Sequence, residues 1–391
     1  MLEKLILQDS SLQYATMPPL PQPKNRANIS PSDFQLPQDT IVVSADNHLS
    51  VSEDIWYKSF PERLRDRAPR VWFDQGTYHI GFDGKTMFPE AMVRGFAAHD
   101  PMPGTSKIAP RMLDMDADGI DKELVFPNGM LAMLSYKDLE IREWIYKVYN
   151  EYLVELAAQA PDRFYGVPLL PHFWDSTRVA ASVAEIKAQG FKTIMLPQKP
   201  GFTPDGQPIN YQDDNMTAMW EAIEDSGIPV CFHIGEGFVS GRGGFGTGAL
   251  VQLSPFRQIF GQLVFGGVFD RHPKLKVAFI EAGINWVAGT LQDADMVCNA
   301  QRDFIDHKIN HPARWYWENH CYASFMIDPL GLRLLDLIGP DRVMWSADYP
   351  HMEGSNGFSK HSMKAVVDAA QNDDDARKIL GGTAIELFNL Q

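Results

Sequence analysis

Four stretches of this chain end an apolar run in side chains that can do chemistry. Ile41–Ser44 runs into Asp46-Asn47-His48, Ile228–Phe232 into His233, Lys276–Ile280 into Glu281, and Val343–Trp345 into Asp348-Tyr349-Pro350-His351. A buried parallel strand ends this way when it delivers a polar group to the rim of a sheet, and Pro350 stops the last ladder. Alternate residues of a strand point the same way, so Asp46 and His48 share a face. Two donors from one strand, joined by His233 and Asp348, form a nitrogen-and-oxygen set without thiolate. That set suits a divalent metal: Zn2+ with an open position for water, with Mn2+ and Fe2+ as alternatives. Such an ion lowers the pKa of its water and polarises a carbonyl. Glu281 joins the ring as base, proton shuttle or additional ligand.

Taken singly, each feature is ordinary. A D-x-H triplet is expected about once by chance in a chain of this length. A lone buried histidine is often only hydrogen-bonded, and an Asp at a strand end often caps the next helix. Coincidence of position carries the reading, because all four groups fall at strand ends. His172 follows another such run, and with His351 and Arg242 it is expected to orient a substrate or its oxyanion. Trp286 is placed beside Arg242 as a substrate contact. His79, His99, His272, His307, His311 and His361 read as structural or surface groups.

The elements that must position these residues recur regularly. Strand-like runs lie at Thr40–Ala45, Lys122–Phe126, Phe164–Leu169, Lys192–Leu196, Pro229–His233, Lys276–Glu281, Cys321–Phe325 and Arg342–Asp348. Helical patterns separate them: Asp138–Ala160, with Trp144, Val148, Tyr152 and Leu156 along one face, then Ser176–Gln189, Asn215–Ser226, Pro255–Phe269, Trp286–His307 and Pro329–Ile338. Lys360–Ala370 and Asp373–Leu380 form a C-terminal pair. Strand, helix, strand at this spacing gives a parallel sheet with right-handed crossovers. Eight units favour closure into a (β/α)8 TIM barrel, whose strand ends all meet at one mouth. An open nucleotide-binding sheet would carry a glycine-rich turn after its first strand, where Asp46-Asn47-His48 stands instead. The glycine-rich Gly241–Gly246 segment follows the fifth run and reads as a mobile active-site loop.

Residues 1–38 are rich in Pro and Gln and read as an extended N-terminal arm; residues 39–391 form the barrel. Residues 49–110 read as an insertion after strand 1, with an alternating hairpin closed by Asp83-Gly84. Its aromatic residues are expected to pack on the barrel or a partner subunit. The formal net charge of −15 argues against nucleic-acid or anionic-membrane partners, since either surface would repel it. Cys231, Cys298 and Cys321 are widely spaced and read as thiols of a reducing compartment. The N-terminal apolar run is broken by Glu3 and Lys4 and is too short for a signal peptide. The expectation is a cytoplasmic homo-oligomer acting on a small molecule.

SADNH after the first run, VCFHIGEG at Val230–Gly237, LVFGGVFDRHPKLKVAF, WSADYPHMEG and the terminal ILGGTAIELFNL together resemble one family. It is the amidohydrolase-related branch that also contains the aminocarboxymuconate-semialdehyde and benzoate-type decarboxylases. The resemblance runs from strand 1 to the C-terminus. It implies that Asp46, His48, His233 and Asp348 occupy metal-ligand positions. Two departures stand out: D-x-H replaces H-x-H or E-x-H, and Glu281 stands where the decarboxylases carry a histidine. A carboxylate there can take a proton from metal-bound water, and it would repel a carboxylate substrate. The expectation is therefore a metal-dependent hydrolase of an amide, ester, lactone or thioester, with Asp348 and Glu281 sharing the role of base. The alternative is a non-oxidative decarboxylase or hydratase of an aromatic-pathway acid. A non-catalytic scaffold is the third reading; it requires Asp348→Asn to leave ligand binding intact.

Overall fold

The computed structural model describes residues 30–391 apart from 75–76, 89, 91–92, 94–101, 237–238, 240 and 253–255. Most of the expected arm and part of the 49–110 stretch therefore lie outside the described residues. The strands in chain order are β1 (Val43–Ser50), β2 (Arg70–Asp74), β3 (Thr77–Phe82), β4 (Lys85–Thr86), β5 (Lys122–Asn128) and β6 (Phe164–Gly166). They continue with β7 (Ile194–Leu196), β8 (Val230–His233), β9 (Val277–Ile280), β10 (Cys321–Phe325) and β11 (Val343–Trp345).

Parallel ladders join β1-β5-β6 and β7-β8-β9-β10-β11. Two seams turn these sheets into one ring. On one side Leu169 and Met195 form a parallel bridge. On the other, the Ala347 amide donates to Ser44 Oγ at 2.9 Å, the Asp348 amide to Asp46 O at 2.8 Å and the His48 amide to Tyr349 O at 2.6 Å. The result is a closed barrel of eight parallel strands, as the strand–helix alternation predicts. Strands such as VCFH and VAFI are buried throughout, because helices cover the outside and side chains fill the inside. Phe279 of β9 packs outward on Phe256 and Trp286 of the helical layer, with ring centroids 5.1 and 5.4 Å away. Burying one such ring contributes about 1.5–3 kcal/mol.

Several local expectations shift. β1 runs five residues past Ala45, so Asp46 and His48 lie within the strand rather than after it. The helix Leu139–Ala157 starts where Asp138 accepts a hydrogen bond from the Ile141 amide. Its buried stripe is Ile141, Ile145, Tyr149 and Leu153, with Trp144 and Tyr152 half-buried at the edge. The single helix expected over 255–269 is broken into Phe256–Phe265 and Val268–Arg271 at Gly267, whose φ of 69° favours glycine. Asp83-Gly84 closes β3 onto β4, and β2 adds on the other edge of β3, making a three-stranded antiparallel sheet. The loop expected over Gly241–Gly246 is a turn that enters the helix Gly244–Gln252. Val239 lies across this helix so closely that a Cβ on Gly244 would sit 2.2 Å from its carbonyl oxygen. Glycine there permits the contact.

Candidate metal centre

The β1–β5 register shifts between Ser44 and Asn47, a bulge that re-aims the strand. Asp46 and His48 reach the barrel mouth from this bulge. His233 is the last residue of β8, Glu281 follows β9, and Asp348 follows β11. Glu281 and Asp348 hold φ of 76° and 52°, left-handed backbone that is strained for residues with a Cβ and that gathers at functional sites.

The six polar groups meet closely. His233 Nε2 lies 3.2 Å from Asp46 Oδ1 and 3.1 Å from Glu281 Oε2. His48 Nε2 lies 3.2 Å from Asp348 Oδ1 and 3.5 Å from Asp46 Oδ1. His351 Nδ1 lies 2.8 Å from Asp348 Oδ1 and 3.7 Å from Glu281 Oε1. Donor atoms of Asp46, His48, His233 and Glu281 all fall within 4.8 Å of one another, as do those of His48, Glu281, Asp348 and His351. Asp46 Oδ2, His48 Nε2 and Asp348 Oδ2 are buried and make no hydrogen bond. Buried polar atoms are ordinarily satisfied, so orphaned ligand atoms converging from two neighbouring strands, β1 and β11, fit a divalent cation. His48 Nδ1 faces Pro127 O at 3.2 Å and His233 Nδ1 faces Ile234 O at 2.6 Å, which leaves each Nε2 for the centre.

The electrostatics agree. Burial pushes the Asp46 carboxyl up to about 6, against the pull of His233. Asp348 is also raised well above its ordinary value by burial, with Glu281 and Asp46 adding repulsion. Burial works to raise Glu281 too, but the His233 and His351 imidazoles outweigh it and hold it low. His48 is driven well below its ordinary value by burial, then by His351 and His233. Three carboxylates crowded without solvent call for a compensating cation.

A second layer was not anticipated. Arg111, from the helix Ile108–Asp118, is fully buried against Glu123 of β5 and donates from Nη1 to His48 O at 2.8 Å. Glu123 is a fully buried charge next to the apolar run Leu124–Phe126, and a carboxylate beside such a run was the available signal. Other expected site residues are not brought to the cluster. His172 points to Ser182 Oγ at 2.8 Å and Glu143 at 3.1 Å. Trp286 packs in the aromatic layer outside the barrel, its indole donating to Gly283 O. Arg242 is exposed in the turn before Gly244–Gln252. The expectation groups these three with the substrate; the fold sets all three apart from the ring of donors.

Fold and cluster together define a (β/α)8 barrel enzyme with a divalent-metal centre. The amidohydrolase family model matches residues 53–390, and the chain belongs to that family. It is 26% identical over 250 residues to 2-amino-3-carboxymuconate-6-semialdehyde decarboxylase of Dictyostelium discoideum, covering 62% of this chain and 65% of that protein. Among solved structures, an amidohydrolase of Mycobacterium avium subsp. paratuberculosis superposes with a TM-score of 0.72 at 20% identity, covering 90% of this chain and 99% of the other. A manganese complex of 5-carboxyvanillate decarboxylase from Novosphingobium aromaticivorans gives 0.62 at 17% identity, covering 93% and 99%. At these identities the likeness to solved structures speaks for the fold.

The expected hydrolysis is overturned by the curated relative, which is a decarboxylase. The electrostatic reason offered for hydrolysis also fails. Glu281 is not a lone negative charge facing the substrate, since His233 and His351 stand against it.

Proposed function

We propose that the protein is a metal-dependent, non-oxidative decarboxylase of a small aromatic or unsaturated carboxylic acid. The observation that carries the reading is His351, an imidazole poised at the open side of the cluster between Asp348 and Glu281. Both carboxylates push its pKa up against the effect of burial, which suits the imidazole to carry a proton to the substrate.

Asp46, His48, His233 and Asp348 would hold the cation, with Glu281 beside them. The donor set takes Zn2+, the original expectation, and also the harder Mn2+. When bound, the ion supplies a positive charge that anchors the acid and draws electron density from its oxygens. His351 then gives its proton to the carbon that bears the carboxylate. The C–C bond breaks, CO2 leaves, and the bonding pair stays on the ring or chain carbon, so one proton is consumed per CO2. Glu281 and Asp348 orient the imidazole, and solvent restores its proton, because the side chain is 23% exposed. No water is consumed.

The test is CO2 release from a panel of hydroxylated benzoic acids and muconate-type semialdehyde acids, using protein loaded with Mn2+ or Zn2+. Release of CO2 with stoichiometric formation of the decarboxylated product supports the reading. Metal-loaded protein that is inert across the panel sinks it.

A further inference from the structure

On the outward side of β1, behind the cluster, lies a buried ion pair with no part in the chemistry above. Arg111 and Glu123 are both fully shielded from solvent. They meet in a two-pronged contact, Nε to Oε1 at 2.6 Å and Nη2 to Oε2 at 2.8 Å. Desolvating such a pair can outweigh its attraction, and well-packed apolar replacements are often as stable or more so. Stability alone is a poor reason to bury it.

Its remaining hydrogen bonds lead to the segments that carry the metal donors. Arg111 Nη1 donates to His48 O at 2.8 Å and to Gly104 O at 3.2 Å. Glu123 Oε2 accepts from Asn47 Nδ2 at 2.6 Å. Asn47 Oδ1 in turn accepts from the Tyr349 amide at 2.9 Å and from Ser44 Oγ at 3.0 Å. The middle residue of D-x-H thus faces away from the mouth and links strand 1 to the turn after β11. The amide gives Glu123 a donor and Tyr349 an acceptor at once, from two separate atoms. The arginine fork reaches a carboxylate and two carbonyls together, which the point charge of a lysine does not.

We propose that the Arg111–Glu123 pair, acting through Asn47, is a positioning device for the metal centre. It fixes the bulge that presents Asp46 and His48 and ties it to the turn that presents Asp348. None of the three residues touches the ion or the substrate. The proposal rests on the metal-centre reading above.

The experiment is a Co2+ titration of metal-free full-length protein, following affinity and the d–d absorption bands, alongside thermal unfolding. The double variant Arg111→Met/Glu123→Leu removes both charges, so no lone buried ion remains. It is expected to melt within a few degrees of the wild type yet bind Co2+ 10–100-fold more weakly with altered bands, as outer-shell losses typically do. Asn47→Leu, which leaves the ion pair intact, is expected to weaken Co2+ binding to a similar degree. It keeps the question answerable if the double variant does not fold. Wild-type affinity and bands in either folded variant overturn the positioning role. A wild-type protein that takes up no Co2+ overturns the metal-centre reading, and the proposal falls with it.

Discussion

His351 stacks on His48, with ring centroids 4.0 Å apart and planes inclined by 30°. The two imidazoles do different work. His48 is wholly buried and kept neutral, whereas His351 keeps 23% of its side chain exposed and sits against two carboxylates. One is suited to hold a cation and the other to hold a proton. His351→Asn is therefore expected to lower kcat for decarboxylation by about 100-fold or more, the usual contribution of a general acid. Metal content by elemental analysis should stay at the wild-type level. Loss of metal in this variant would make His351 a ligand instead.

Asp46 and Asp348 enter from opposite sides of the β1–β11 seam, and each leaves a buried oxygen without a hydrogen bond. Asp46→Asn and Asp348→Asn are expected to lose bound metal together with turnover. Chelation of the wild type should lower its melting temperature, and added Mn2+ or Zn2+ should restore it. A cation present at 100 times its Kd adds about 2.7 kcal/mol of stability. Calorimetry with and without chelator reads this directly, and a melting temperature indifferent to the ion would count against the centre.

Much of the barrel was legible because its signal is local. Uninterrupted apolar runs such as Val230–Phe232, and the αL glycine that ends the helix at Gly227, mark strand and helix ends residue by residue. The convergence of Asp46, His48, His233, Glu281, Asp348 and His351 followed from barrel geometry, once strand ends were equated with one mouth. The reach of a side chain beyond its strand end was not legible. His172 and Trp286 stand near strand ends too, yet one turns to Ser182 and the other packs outside the barrel, and tertiary contacts decide that. Arg111 was missed for the same reason: nothing in APRMLDMDAD marks its arginine as buried, and its partner Glu123 is twelve residues away. The chemistry was misjudged because Glu281 was weighed alone, without the imidazoles that face it.

Gly381 lies in the C-terminal turn Lys378–Gly382, which packs on the start of β1. A Cβ built there would sit 2.0 Å from Ile41 O, a backbone atom that cannot swing aside. Gly381→Ala must push the turn away from the strand that carries Asp46 and His48. The expected loss is about 1–3 kcal/mol or more, as for other overpacked sites, read by denaturant unfolding. A variant as stable as the wild type would mean that the turn yields without resistance.

Glu236 offers a test through pH. It is 4% exposed, its Oε2 accepts from the Lys199 amide at 3.1 Å, and Oε1 accepts from the Gln198 amide. Burial pushes its carboxyl from 4.5 up to about 7, with the Gln198 and Lys199 amides, then the Lys199 and His233 charges, only partly offsetting this. A raised carboxyl means that the folded chain holds a proton which the unfolded chain has released. Stability from this group is therefore full below about pH 4.5 and declines as pH rises toward 7. The span corresponds to roughly 3 kcal/mol. Glu236→Gln keeps one acceptor and cannot ionise, so the decline should be absent. Relative to the wild type, the variant should gain stability between pH 5 and pH 8, measured by urea unfolding of chelator-treated protein. An equal gap at both pH values would mean that Glu236 ionises as freely in the fold as outside it.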